Sequence, residues 1–175
     1  MRFLSIFLIL ICLFSCKNSI EKTEETVEQT TQKNTTKVSK KDISKIKYLD
    51  YGVDIKAKNT LDSWLPYNTI ATAIASLKNG GFSFFVDDET VFSTAMKDLE
   101  TTIPENIDTA SIRARILVLK TKLYKLEEAT KLTTTTKKEH LLIIKEVFQA
   151  FSYVTLLINK KFEKEAQYII KPEIE

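Results

Sequence analysis

The chain has 175 residues, a formal net charge of +3 and only three glycines and three prolines. That length sustains one ordinary domain, and so little Gly and Pro favours long helices over a turn-rich β fold. Both cysteines, Cys12 and Cys16, lie at the start, which excludes disulfide staples, Cys-ligated zinc and a thiol nucleophile from everything downstream.

Charge divides unevenly. Residues 17–47 hold eight lysines and five acidic residues, whereas residues 48–175 hold 17 Lys plus Arg against 18 Asp plus Glu. The later part is close to neutral and has no dominant basic field, so nucleic acid is not an expected partner.

The chain opens with a cationic start, Arg2 and the free amine, followed by residues 3–14, apolar except for Ser5. A run of about 12 residues has the length of a signal-peptide hydrophobic region. As a helix it would extend only about 18 Å, short of the roughly 30 Å hydrocarbon core of a bilayer. Leu13 occupies the position three before Cys16, where an ordinary signal peptidase needs a small residue. Leu13-Phe14-Ser15-Cys16 instead resembles the lipobox of bacterial lipoproteins, departing from it at Phe14, where that family prefers Ala, Ser or Thr. The resemblance covers the first sixteen residues. It implies a signal peptide over 1–15, diacylation of the Cys16 sulfur by palmitate-type chains, optional acylation of the new amine, and stable attachment, because two or more chains hold a protein on a bilayer. It also implies a bacterial cell envelope. Lys17 stands where an Asp would mark inner-membrane retention, which points to the outer membrane; the periplasmic and surface faces both stay open.

Residues 16–47 beyond the lipidated cysteine are polar, without an apolar period, and cannot offset the entropy of ordering. They are expected to form a disordered tether of about 30 Å end to end. Residues 48–62 carry Tyr48, Leu49, Tyr51, Val53 and Ile55, broken by Gly52, and are expected to be irregular or briefly extended. Asp50 and Asp54 lack the ligand spacing of a calcium loop. A helix is expected from Trp64-Leu65-Pro66-Tyr67, with Pro66 in its first turn. Leu65, Ile70, Ile74 and Leu77 form its apolar face, and Asn79-Gly80-Gly81 ends it.

Phe82, Phe84 and Phe85 form a short extended segment or a loop plugged into the bundle. Asp87-Asp88-Glu89 opens the next helix by capping and by complementing its dipole. Phe92, Ala95, Met96, Leu99 and Ile103 face inward, and Pro104 stops it. Asp108 is expected to cap a third helix, whose Ile112, Ile116, Leu119, Leu123 and Leu126 recur at helical spacing. After a turn at 133–136, Thr136 and Glu139 have the form of a capping box. The last helix then runs to about residue 167, with Ile144, Val147, Phe151, Val154 and Ile158 along one face, widened by Leu141, Phe148 and Phe162. The short connection makes these two helices an antiparallel hairpin. The fold class is all-α: a small antiparallel bundle of about four helices over residues 48–175. This body resembles no characterised family.

The sequence offers no catalytic residue, no metal ligand set and no cofactor site. His140 is the sole histidine and is expected at the surface; one histidine cannot supply the paired Glu-x-x-His motifs of a di-metal bundle. Asp87, Asp88 and Glu89 suit a helix start better than a cation. Gly80-Gly81 is too little for a phosphate loop. Asp108-Thr109-Ala110 resembles an O-glycosylation sequon of some bacterial envelopes. Trp64, Tyr67, Phe82, Phe84 and Phe85 bracket one short helix. As core they close the bundle; as an exposed lip they would take an apolar ligand or a partner, since aromatics dominate interface hot spots. The expected function is therefore a non-enzymatic, lipid-anchored envelope lipoprotein acting as an interaction or accessory module, with the membrane and an envelope protein as partners. The alternative is an envelope lipoprotein that binds a small apolar ligand.

Overall fold

The computed structural model describes residues 37–167. Cys16 and the lipobox-like segment lie outside the described residues. Among the described residues are seven α-helices and one 3-10 turn, and no strand. The helices are α1 (Lys40–Ile43), α2 (Ile55–Ser63), α3 (Leu65–Lys78), α4 (Ser83–Val86), α5 (Glu89–Thr101), α6 (Ala110–Lys131) and α7 (Lys137–Glu165), with the 3-10 turn Glu105–Ile107 before α6. The described residues form the all-helical class expected from composition.

Most of these boundaries have a visible cause. At α3, Pro66 occupies the first turn, where its missing N–H costs nothing. Its far end is a Schellman motif: the Gly81 N–H donates to the Ser76 carbonyl and the Gly80 N–H to that of Leu77, each at 2.9 Å. Gly80 has φ +85°, a left-handed conformation that glycine adopts without penalty. Asp88 caps α5, its Oδ1 accepting from the Thr90 and Val91 N–H groups at 2.8 and 3.1 Å. At α7, Thr136 Oγ1 accepts from the Glu139 N–H at 3.2 Å, the Thr136 half of the capping box.

Helices α6 and α7 share the largest helix–helix contact among the described residues. They run antiparallel, because Thr130 meets His140 near the turn while Lys122 meets Glu146 farther along. Ile112, Ile116, Leu119, Leu123 and Leu126 of α6 are all buried, as the spacing predicts. Ile144, Val147, Val154 and Ile158 of α7 are buried beside them, with Phe148. Phe151, Leu141 and Phe162 are partly buried against the same core. Phe92, Met96 and Leu99 of α5 complete it, and Ala95 and Ile103 pack on its edge. Among the described residues only α7 is long and apolar enough to cross a membrane, and half of its most apolar stretch is buried within the protein.

Four expectations are corrected. The ordered body begins earlier than residue 48. Val38 and Ile43 are buried in the core, and α1 starts with a capping box in which Ser39 Oγ accepts from the Asp42 N–H and Asp42 Oδ2 from the Ser39 N–H. A buried apolar residue on each side of a capped turn fixes residues 37–47 despite their lysines. Second, residues 55–62, expected to be irregular or briefly extended, lie in α2. Asp54 caps it through the Lys56 N–H at 2.8 Å, and Ala57 and Leu61, one turn apart, are buried. Third, Leu65 is not on the inner face of α3: it is 74% exposed. The buried stripe is Tyr67, Ile70, Ile74 and Leu77, spaced 3, 4 and 3. Fourth, Asp108 does not cap α6. Thr109 does, accepting from the Ile112 N–H, and Asp108 pairs with Arg113.

The connection from α1 to α2 is strapped to α7 by two side chains. Ser152 Oγ accepts from the Tyr51 N–H at 2.8 Å and donates to the Leu49 carbonyl at 2.7 Å. Asn159 accepts from the Asp54 N–H and donates to the Gly52 carbonyl. An irregular segment has no ladder for its peptide groups, so α7 supplies the partners.

Candidate functional site

The five aromatics do not form one lip. Trp64, Tyr67 and Phe85 are 3%, 4% and 1% exposed. Trp64 stacks on Tyr67, and Tyr67 on Phe151 of α7, with centroids 5.7 and 5.2 Å apart. Their polar tips are satisfied inside: Trp64 Nε1 donates to Thr102 Oγ1 at 3.3 Å, and the Tyr67 hydroxyl meets that of Thr155 at 2.8 Å. This is how buried Trp and Tyr behave as core. Phe84 and Phe85 form a separate group with Phe92 and, through Phe92, Tyr124. Phe82 belongs to neither group and packs against His140, 5.4 Å between centroids.

That last contact marks the cleft with the most varied chemistry. It lies where α6 ends, the chain turns through residues 132–136, and α7 begins. Short α4 and the segment before α1 form its other side. The cleft has a volume of about 340 Å³ and is lined by Lys37, Val38, Gly80, Phe82, Val86, Ala129, Thr130, Lys131, Leu132, Thr133, Thr135 and His140. The fold creates it locally. Gly80 turns the chain out of α3 and delivers Phe82 to the wall, while the capped start of α7 holds His140 on its first turn.

His140 corrects the surface expectation. It is only 9% exposed, and its Nε2 lies 3.1 Å from Thr130 Oγ1. Burial pushes its pKa below the ordinary value of 6.5, and the positive end of the α7 dipole opposes protonation in the same sense. Lys131 at the rim is held by Glu127 at 2.7 Å and reaches Glu89 at 3.7 Å, and its hydrogen bond to Glu127 raises its pKa. The cleft thus joins a neutral imidazole, a ring face and aliphatic walls to two lysines, Lys37 and the already paired Lys131.

The remaining sequence candidates fall elsewhere. Asp88 is committed to capping α5, Asp87 closes α4, and Glu89 pairs with Lys131. No grouping of three or more His, Cys, Asp or Glu able to hold a metal occurs among the described residues. Thr109 of the sequon-like triplet uses its hydroxyl oxygen in capping α6. The buried histidine is what sequence reasoning missed. Its only sequence signal is its place on the α7 face next to Leu141, Ile143 and Ile144 rather than among the lysines.

Two shallower apolar grooves flank the exposed side of α3. One, of about 300 Å³, runs between α3 and α5 past Leu65, Pro66, Thr69, Val91 and Ala95. The other passes Leu65, Thr72, Ser76 and Phe84. Comparison with protein families, curated proteins and solved structures finds no match to this chain.

Proposed function

We propose that this chain is a lipid-anchored lipoprotein of a bacterial cell envelope, held on the outer membrane, whose helical domain serves as a non-enzymatic interaction or accessory module. The observation that carries the reading is Leu13-Phe14-Ser15-Cys16 at the end of a short apolar run behind a cationic start. Acylated Cys16 holds the chain on the membrane, and the polar residues that follow set its reach. The four longest helices, α3, α5, α6 and α7, are the bundle in this reading, with α1, α2 and α4 as short additions.

Exposed apolar side chains support the interaction role. Leu65 and Val91 stand 74% and 54% exposed across one groove, and Leu117, Val118 and Tyr124 are exposed on α6. Such surface is where a partner gains hydrophobic contact. Metabolic labelling with a fatty-acid analogue tests the anchor: the wild type is labelled and Cys16→Ser is not, and equal labelling of both overturns it. Photocrosslinking from position 65 or 117 in intact cells tests the module. A discrete adduct with an envelope protein is expected, and adducts with lipid alone from both positions count against the role.

A further inference from the structure

We propose that the cleft lined by Phe82 and His140 binds a small aromatic molecule carrying a hydrogen-bond donor, such as a phenol, with the donor received by Nδ1 of His140. The proposal goes beyond the anchoring and partner-binding reading and does not depend on it.

It starts from the tautomer. Thr130 has one hydroxyl proton, and its Oγ1 lies 2.7 Å from the Leu126 carbonyl one turn back, which takes that proton. At 3.1 Å from His140, the same oxygen can then only accept. Nε2 therefore carries the hydrogen of a neutral ring, and Nδ1 is left as a lone-pair acceptor. No donor from the described residues reaches Nδ1, and it is not sealed from solvent. His140, nine-tenths buried, thus lines the cavity with one ring acceptor unused. Its lowered pKa keeps that acceptor unprotonated at neutral pH.

The walls select what comes with the donor. Val38, Phe82, Val86, Ala129 and Leu132 supply aliphatic and aromatic surface, and about 340 Å³ lies at the small end of the roughly 300–1,000 Å³ typical of ligand pockets. A single ring fits those dimensions, with Phe82 to pack against.

The chain contains one histidine, so ¹⁵N-histidine labelling of the full chain in lipid nanodiscs reports this site without assignment. The unliganded spectrum is expected to show a neutral Nε2–H ring. Phenol should shift the Nδ1 resonance saturably and bind about tenfold more tightly than toluene, the value of one net hydrogen bond. Val86→Trp and Leu132→Trp fill the cleft from exposed positions that leave the core intact, and should abolish the phenol response. An Nδ1–H ring in the free protein, no saturable shift with phenol, or an unchanged shift in both tryptophan variants would each overturn the proposal.

Discussion

His140 ties its charge state to the fold. In the unfolded chain it titrates near its ordinary value of 6.5, and burial in the folded chain lowers that value. Between the two, the unfolded state binds more protons, so stability rises with pH through this window. The contribution is complete above about 6.5 and is lost as pH falls toward the lowered folded value. Burial is the cause of the shift, and the groups in contact with the ring, Thr130 and Phe82, are uncharged. Melting temperature should therefore decline below pH 6.5 in the wild type and decline less steeply in His140→Gln. Equal slopes would show that other groups set the acid response. A second side chain works without burial. Ser39 caps α1 and shares Asp42 with Lys137 of α7; the hydrogen bond from Lys137 holds the Asp42 carboxyl well below the usual carboxylate range. Ser39→Ala should cost about 1 kcal/mol in denaturant unfolding, the usual value of an N-cap. Ser39 and Asp42 were legible as a pair three apart, but the lysines around them read as tether, because composition averages over the one capped turn that matters.

At the scale of elements, periodicity decided what could be read. Helix α6 repeats its apolar positions five times, and all five are buried. Helix α2 buries only Ala57 and Leu61, two positions one turn apart among Lys56, Lys58 and Asp62, while Ile55 is exposed, so no period stands out in nine residues. Its capping Asp54 resembles any loop aspartate until the Lys56 N–H is seen to meet it. The misplacement of Leu65 has the same origin. Tyr67 replaces Leu65 at the start of the stripe while Ile70, Ile74 and Leu77 keep their places, and contact with Phe151 and Thr155 fixes that choice. Two substitutions separate the readings. Leu61→Ala empties a core site and should cost about 2–5 kcal/mol, whereas Leu65→Ala at an exposed site should stay within about 0.5 kcal/mol. Guanidinium midpoints measured side by side check both. A similar loss in the two variants would return Leu65 to the core. Ser152→Ala would strip the partners from the Tyr51 N–H and the Leu49 carbonyl. Amide exchange at Tyr51 should then accelerate about tenfold or more, with α6 amides unaffected.

At the scale of the molecule, the question is how α7 can pass for a membrane span. It has 29 residues, enough for about 43 Å of helix, and its best window is as apolar as a spanning segment. The distribution around the helix argues otherwise. Ile144, Val147, Val154 and Ile158 point into the core with Phe148, while Lys137, Lys160 and Lys161 pair with acidic groups at either end. Ser152, Thr155 and Asn159 spend their polar atoms on the strap and on Tyr67. A spanning α7 would strand those groups in hydrocarbon, at several kcal/mol each. It would also strip α6 of its largest contact. Attachment through Cys16 alone makes a concrete demand. With residues 1–16 exchanged for an unrelated cleavable signal peptide lacking the cysteine, the exported chain should leave the membrane fraction in alkaline carbonate, whereas the wild type stays. Retention of the exchanged chain would mean that α7 or another part of the body holds it there, and the lipobox-like segment would no longer be needed to explain where this protein works.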